Sequence, residues 1–167
     1  MIIGIGGVSN AGKSTLSKRI VEKLSPEKEC IVLCQDDYVY PQSQIPKIKN
    51  MTDWECPRSI NFKEFIADVN RYKETHDVVI AEGLFAFYLN ELVDLYNKQI
   101  FIQIPKKLFL ERKAEDDRWG PEPDWYIEHI WSSFLKYGNL EGVYDNLYFI
   151  DGMKEKDMDA IMEYVNS

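Results

Sequence analysis

Apolar residues fall along this chain in short continuous runs that alternate with stretches of helical period. Ile2, Ile3, Ile5 and Val8 form a run broken by glycines, after which Leu16, Ile20 and Leu24 recur one turn apart as far as Ser25-Pro26. The pattern predicts a strand, a glycine loop and a helix. Cys30 to Cys34 is a second apolar run, as expected of a parallel strand covered on both faces. Between Pro41 and Pro57 three prolines and scattered polar residues show no period, which predicts a long loop. Phe62, Phe65, Ile66, Val69 and Tyr72 then restore a helical stripe.

The second half repeats the alternation. Asp77 to Ala81 reads as a third strand, Leu89 to Tyr96 as a short helix and Gln99 to Ile104 as a fourth strand. A charged helix is expected from Lys106 to Arg118, broken at Trp119-Gly120-Pro121-Glu122-Pro123. Ile127, Ile130, Trp131, Phe134 and Leu135 build another amphipathic helix, whose Trp125, Tyr126, Trp131, Phe134 and Tyr137 are expected in the core. Leu147 to Ile150 gives a fifth strand, and Met158, Ile161, Met162 and Val165 a closing helix. Strands separated by helices imply right-handed crossovers, so the expected fold is α/β, a five-stranded parallel sheet with helices on both faces. Ligands should lie at the carboxyl ends of its strands.

Composition narrows the class. A length of 167 residues with 45% hydrophobic content suits one domain with one core, residues 1–167. The net charge of -8 opposes binding to nucleic acid or to an anionic membrane, so an anion has to be captured locally. Cys30, Cys34 and Cys56 lack the paired spacing of a zinc or redox site and are expected as small hydrophobes. With no leader recognisable before the first strand and no apolar run of membrane-spanning length, the cytoplasm is the expected compartment.

The chemistry begins at Gly7-Val8-Ser9-Asn10-Ala11-Gly12-Lys13-Ser14. Glycines let consecutive backbone N–H groups turn inward on phosphate, and the following helix adds the positive end of its dipole. Lys13 supplies a mobile charge for the terminal phosphates, and Ser14 a hydroxyl for Mg²⁺. Glu82, at the end of the third strand, is the expected acidic partner of that magnesium. Gln35-Asp36-Asp37-Tyr38 follows the second strand directly, which brings Asp36 to the same sheet edge as candidate general base. A strand, glycine loop and helix with these two acidic residues point to an ATP-using phosphotransferase. Asn97-Lys98-Gln99-Ile100 lacks the Asp of a guanine reader, and a phosphate-binding module without chemistry would have no need of Gln35-Asp36-Asp37.

These segments, together with Trp54-Glu55, His129-x-Trp131, Leu135-Lys136-Tyr137 and Asp151-Gly152, resemble the uridine kinase and nicotinamide riboside kinase branch of the P-loop kinases, nearer to the nicotinamide riboside kinases. The resemblance runs from the first strand to the last helix. It implies ATP and Mg²⁺ as cofactors and a ribonucleoside as acceptor, with uridine or cytidine as the alternative to nicotinamide riboside. It implies an acceptor-binding loop about 38–60 and a lid about 110–124. It assigns ATP binding to Gly7, Ser9, Asn10, Ala11, Gly12, Lys13, Ser14 and Thr15, with Arg118, Gly152 and Met153; substrate binding to Asp36, Tyr38, Trp54, Glu55, Arg112 and Trp119; catalysis to Asp36, Lys13 and Arg112; and the metal to Ser14, Asp36 and Glu82.

A Trp face suits a flat base, and a cationic one doubly so. Asp53 is a substitute for Glu55 as the ribose carboxylate, and Cys56 stands where many uridine kinases carry a His. The lid departs from the family pattern, being mostly acidic from Glu111 to Arg118. His129 is expected to be a packed or capping residue, His76 has no evident partner, and the oligomeric state is not legible.

Overall fold

The computed structural model describes residues 1–118, 120–140 and 146–167. Five parallel strands form one sheet: β1 (Ile2–Gly7), β2 (Cys30–Cys34), β5 (Val78–Glu82), β6 (Lys98–Gln103) and β7 (Leu147–Asp151). Their order is β2-β5-β1-β6-β7, so β1 is central; on one side the chain first lays β2 at the edge and then inserts β5 between it and β1, and on the other β6 and β7 follow outward. All six residues of β1 and all five of β5 are buried. Side chains alternate across a strand, so complete burial requires cover on both faces. The cover comes from α1 (Lys13–Leu24), α2 (Phe62–Tyr72), α3 (Asn90–Val93), α4 (Lys106–Ala114), α5 (Asp124–Ser133) and α6 (Met158–Asn166). One continuous core joins Ile3, Ile5, Ile80 and Ile100 of the sheet to Leu16, Phe65, Phe109 and Ile161 of the helices.

Helix ends divide into two kinds. Asn61 caps α2 by accepting from the Glu64 N–H at 3.3 Å, and Asp157 caps α6 by accepting from the Ala160 N–H at 3.1 Å. The N-cap of α1 is Gly12 at φ 96°, which has no side chain to offer. The first N–H groups of α1 therefore stay open toward the sheet edge.

Several elements differ from the pattern-based expectation. The Pro41–Pro57 segment, expected as a loop without period, contains a hairpin of β3 (Lys47–Ile48) and β4 (Met51–Thr52). Its turn residues Lys49 and Asn50 both have positive φ, 44° and 67°, the left-handed pair that a two-residue hairpin turn needs. The short helix expected over 89–96 is regular only at α3. The helix expected to reach Arg118 stops at Ala114, because the Asp116 carboxylate accepts from the Arg118 backbone N–H at 3.2 Å and closes a side-chain turn there. Past α5 the chain widens into a π-helical turn over Phe134–Gly138, where the Asn139 N–H donates to the Phe134 carbonyl.

Candidate active site

The register of the sheet assembles the site. Glu82 ends β5 beside Cys34 of β2 on one side and Ile5 of β1 on the other. The glycine loop leaves β1 immediately after that pair, and Asp36 follows Cys34 in a single tight turn over Gln35–Tyr38. Three chain segments distant in sequence thus reach one edge. Gly7, at φ 144°, makes the exit possible, since a Cβ there would lie 2.5 Å from the Ile102 carbonyl oxygen of the neighbouring strand.

Within the loop, Ala11 N–H donates to the Val8 carbonyl at 3.1 Å and closes a turn. The Lys13 ammonium folds back to the same carbonyl, also at 3.1 Å. Ser14 donates its hydroxyl to Glu82 at 2.6 Å. Glu82 is 2% exposed, a buried carboxyl group that accepts from this hydroxyl and has no ion-pair partner among the described residues. Cys34 registers the local field: burial first, then the negative charges of Glu82 and Asp36, push its thiol up to about 12. Among the described residues no group of three or more His, Cys, Asp or Glu side chains converges to hold a metal. The donors present are hard oxygens few in number, which fits Mg²⁺, an ion that takes one or two carboxylates and completes its shell with phosphate and water.

The segment after Asp36 is closed at its base by an antiparallel bridge between Val39 and Ile60. Its far end is fixed to α5. Tyr126, 2% exposed, donates its hydroxyl to the Thr52 carbonyl at 3.1 Å and accepts from the Trp54 N–H at 3.3 Å. His129 Nε2 meets Asp53 Oδ1 at 2.7 Å. The Trp54 carbonyl accepts from the Ser59 hydroxyl at 2.9 Å, so the Trp54 backbone is held while its ring remains 41% exposed. Glu55 is only partly open to solvent. Burial, the nearby charge of Asp36 and, more weakly, those of Glu122 and Asp53 push its carboxyl up to about 7 against the pull of Lys113.

Comparison with known proteins follows the same lines. No protein-family model matches the chain. It is 28% identical over 181 residues to mouse nicotinamide riboside kinase 2, covering 94% of this chain and 90% of that one. With human nicotinamide riboside kinase 1 it shares 28% over 174 residues, covering 93% and 86%. A uridine kinase of Ureaplasma parvum is 26% identical over 145 residues, 70% and 69% of the two chains. Among solved structures, a sugar kinase from Janibacter aligns with TM-score 0.68 at 15% identity over 99% and 94% of the chains. Deoxyadenosine kinase from M. mycoides with bound dATP aligns with TM-score 0.58 at 17% identity over the whole of both. This is the fold of the P-loop kinases. The chain is a homologue of nicotinamide riboside kinases and uridine kinases.

Viewed as a P-loop kinase fold, the remaining expected residues sort into two groups. Gly7 to Thr15, Asp36 and Glu82 gather at one edge, and Trp54 with Glu55 sits on the loop that leaves that edge. The two carboxylates weighed for the ribose, Asp53 and Glu55, differ in surroundings. Asp53 is engaged by His129 and by the Glu55 N–H at 3.2 Å, whereas the Glu55 carboxyl has no hydrogen-bond partner among the described residues. Tyr38 is directed to α2 instead, its hydroxyl donating to Asp68 at 2.8 Å and its ring 5.0 Å from that of Phe65.

Arg112 and Arg118, expected at the substrate and the phosphates, are engaged by protein groups in this structure. Arg112 donates to the Asn10 and Ala11 carbonyls at 3.0 and 3.5 Å and to the Gly152 carbonyl at 2.9 Å, tying the P-loop to the turn after β7. Arg118 is held by Asp116 through two contacts of 2.6 Å and donates to the Asn10 side chain at 2.8 Å. Met153, beyond Gly152, is 67% exposed. Trp119 lies outside the described residues. The ion pair between Lys113, 5% exposed, and Glu122 at 2.5 Å was not legible in the sequence, because a Lys on a charged helix reads as solvated.

Proposed function

We propose that this protein is an ATP-dependent kinase that phosphorylates the 5′-hydroxyl of a ribonucleoside, with nicotinamide riboside as the favoured acceptor. The observation that carries the acceptor half is the pairing of an open indole, Trp54, with the Glu55 carboxyl, which has no hydrogen-bond partner among the described residues and lies among the negative charges of Asp36, Asp53 and Glu122, offset in part by Lys113. A cationic pyridinium ring stacked on Trp54 would relieve that charge, while a ribose hydroxyl donates to Glu55. Pyrimidine acceptors receive less support. Cys56 is 8% exposed and its thiol faces the Asp53 carbonyl at 3.3 Å, so it presents no group to the hydrogen-bonding edge of a base. The similarity to nicotinamide riboside kinases over nearly the whole chain agrees with this reading.

In this reading ATP lies along Gly7 to Thr15, with its terminal phosphates over Lys13 and the open N-terminus of α1. Ser14, Glu82 and Asp36 would hold Mg²⁺, which neutralises phosphate charge when bound. Asp36, exposed at the edge, takes the proton of the 5′-hydroxyl as its oxygen bonds to the γ-phosphorus. The bond from that phosphorus to the β–γ bridging oxygen breaks, and ADP leaves with the electron pair. Residues 38–60 serve as the acceptor-binding loop and 110–124 as the lid, where Arg118 stands within the field of Asp36 and swings to the transferring phosphoryl group once Asp116 releases it. Arg112 holds the lid to the P-loop from below. Residues 1–167 act as one domain, and the unpaired Cys30, Cys34 and Cys56 suit the reducing cytoplasm.

Phosphate transfer from labelled ATP across nicotinamide riboside, uridine, cytidine and adenosine tests the proposal. Nicotinamide riboside should give the highest kcat/KM, and Asp36→Asn should lower turnover more than a hundredfold with ATP affinity retained. Equal failure on all four nucleosides would sink the acceptor assignment. Survival of turnover within about tenfold in Asp36→Asn would remove Asp36 as the base.

A further inference from the structure

Lys156 lies in the turn between β7 and α6, and its ammonium sits over the P-loop. A Cβ built on Gly12 would be 3.2 Å from Lys156 Nζ and 3.9 Å from its Cε, so the lysine's tip packs closely against the open face of Gly12. Two further cations share the spot. Arg112 and Arg19 both act on Lys156, and together with burial they lower its affinity for a proton. The donors of Arg112 are spent on the Asn10, Ala11 and Gly152 carbonyls. Lys156 and Arg19 make no hydrogen bond or ion pair with any described residue. Two half-buried cations with no ion-pair partner among the described residues, in a chain of net charge -8, are costly unless an anion arrives.

The sheet order says which anion. Asp36 and Glu82 stand at the ends of β2 and β5, on one side of the central β1, whereas Lys156 comes from beyond β7 on the other side. In phosphoryl transfer the attacking and leaving oxygens lie roughly in line on opposite sides of the phosphorus. With the acceptor on the β2–β5 side, the leaving nucleotide occupies the β6–β7 side. We infer that Lys156, supported by Arg19, is a further nucleotide-binding residue that holds the phosphates of the leaving ADP from the side of the P-loop away from the acceptor. It rests on the reading of Gly7 to Ser14 as the ATP site.

This contact is made to ADP and ATP alike, because it does not involve the transferred group. Titration calorimetry of the purified full chain with MgADP and with MgATP tests it directly. Lys156→Gln should raise both Kd values about tenfold, the loss expected for one charge-assisted contact, and Lys156→Arg should restore most of it. The salt dependence of both Kd values should be shallower in Lys156→Gln than in the wild type. In turnover assays the effect should fall on KM for ATP, with KM for the nucleoside held within twofold. Arg19→Gln should show a smaller change of the same sign. Kd values for both nucleotides within twofold of wild type in Lys156→Gln, with an unchanged thermal melt, would overturn the inference. So would a wild-type chain that binds neither nucleotide, which would also remove the ATP site. A chain that binds ADP through Lys156 yet phosphorylates no nucleoside would leave this inference standing and refute only the acceptor assignment.

Discussion

Asn10 of the P-loop donates to Asp116 at 3.1 Å, a contact across 106 residues that sets a carboxylate against the phosphate cradle. The Asp116 carboxyl is held well below the usual carboxylate range, first by its hydrogen bonds to Arg118 and then by that to Asn10. It stays ionised at any working pH and opposes an incoming polyphosphate while it occupies Arg118. Asp116→Asn should therefore tighten MgATP binding by about fivefold, the size of one partly screened unit charge at short range, as read by calorimetry. Weaker binding would instead make Asp116 a tether that organises the segment for ATP.

Glu55 sets a pH dependence for the acceptor. With its carboxyl pushed up to about 7 by burial and by Asp36, it is mostly protonated at pH 6 and mostly ionised at pH 8, a roughly tenfold change in the ionised fraction. Ionised Glu55 attracts a cationic nucleoside and accepts from ribose, so KM for nicotinamide riboside should fall from pH 6 to pH 8 and level off above. Glu55→Gln should raise KM at pH 8 and flatten the profile. The same group acts on stability with the opposite trend. Its folded pKa lies above the value of 4.5 for a free Glu, so the folded state holds the extra proton between the two values. Stability then declines as pH rises from about 4.5 to about 7, and thermal melts of Glu55→Gln should lack that contribution.

Tyr126 holds the acceptor loop to α5 through two hydrogen bonds from a buried hydroxyl. Tyr126→Phe leaves the Thr52 carbonyl and Trp54 N–H without that partner and should cost about 1–2 kcal/mol of stability in a urea titration. KM for the nucleoside should rise severalfold while Kd for MgATP holds, because no contact of Tyr126 reaches the P-loop. His129→Gln, which keeps a donor for Asp53, should be milder than His129→Ala.

Glu82 is buried with Ser14 as its hydrogen-bond donor, so removing its charge alters the metal requirement more than the fold. Glu82→Gln should raise the magnesium concentration for half-maximal rate by about 10–100-fold, measured by titrating Mg²⁺ at fixed ATP. A stability change larger than the shift in metal dependence would mark Glu82 as a packing residue.

What the sequence made legible follows the physics of each element. Cys30–Cys34 and Val78–Glu82 were visible because a parallel strand buried on both faces has to be apolar throughout. That the glycine loop, Asp36 and Glu82 share one sheet edge was visible because each directly follows or ends one of those apolar runs, and parallel strands bring their carboxyl ends to one side. The β3–β4 hairpin was hidden, since two-residue strands have no period and its turn uses Lys49-Asn50 where Asn-Gly is the usual signal. The end of α4 was hidden because Asp116 closes its turn with a side chain, which a charged run does not reveal. The partners of Arg112, the Asn10, Ala11 and Gly152 carbonyls, were hidden because tertiary packing sets them, whereas Arg118 bonds Asp116 only two residues away.

The bridge between Val39 and Ile60 brings the two ends of the proposed acceptor loop side by side, and the loop's hydrogen bonds run to α5, to Asn61 at the cap of α2 and to itself. On the proposed reading, residues 40–59 form a cassette on a nucleotide-handling chassis, docked through Tyr126 and His129. A chimera carrying a relative's cassette and those two positions should change acceptor while keeping the parent's affinity for ADP.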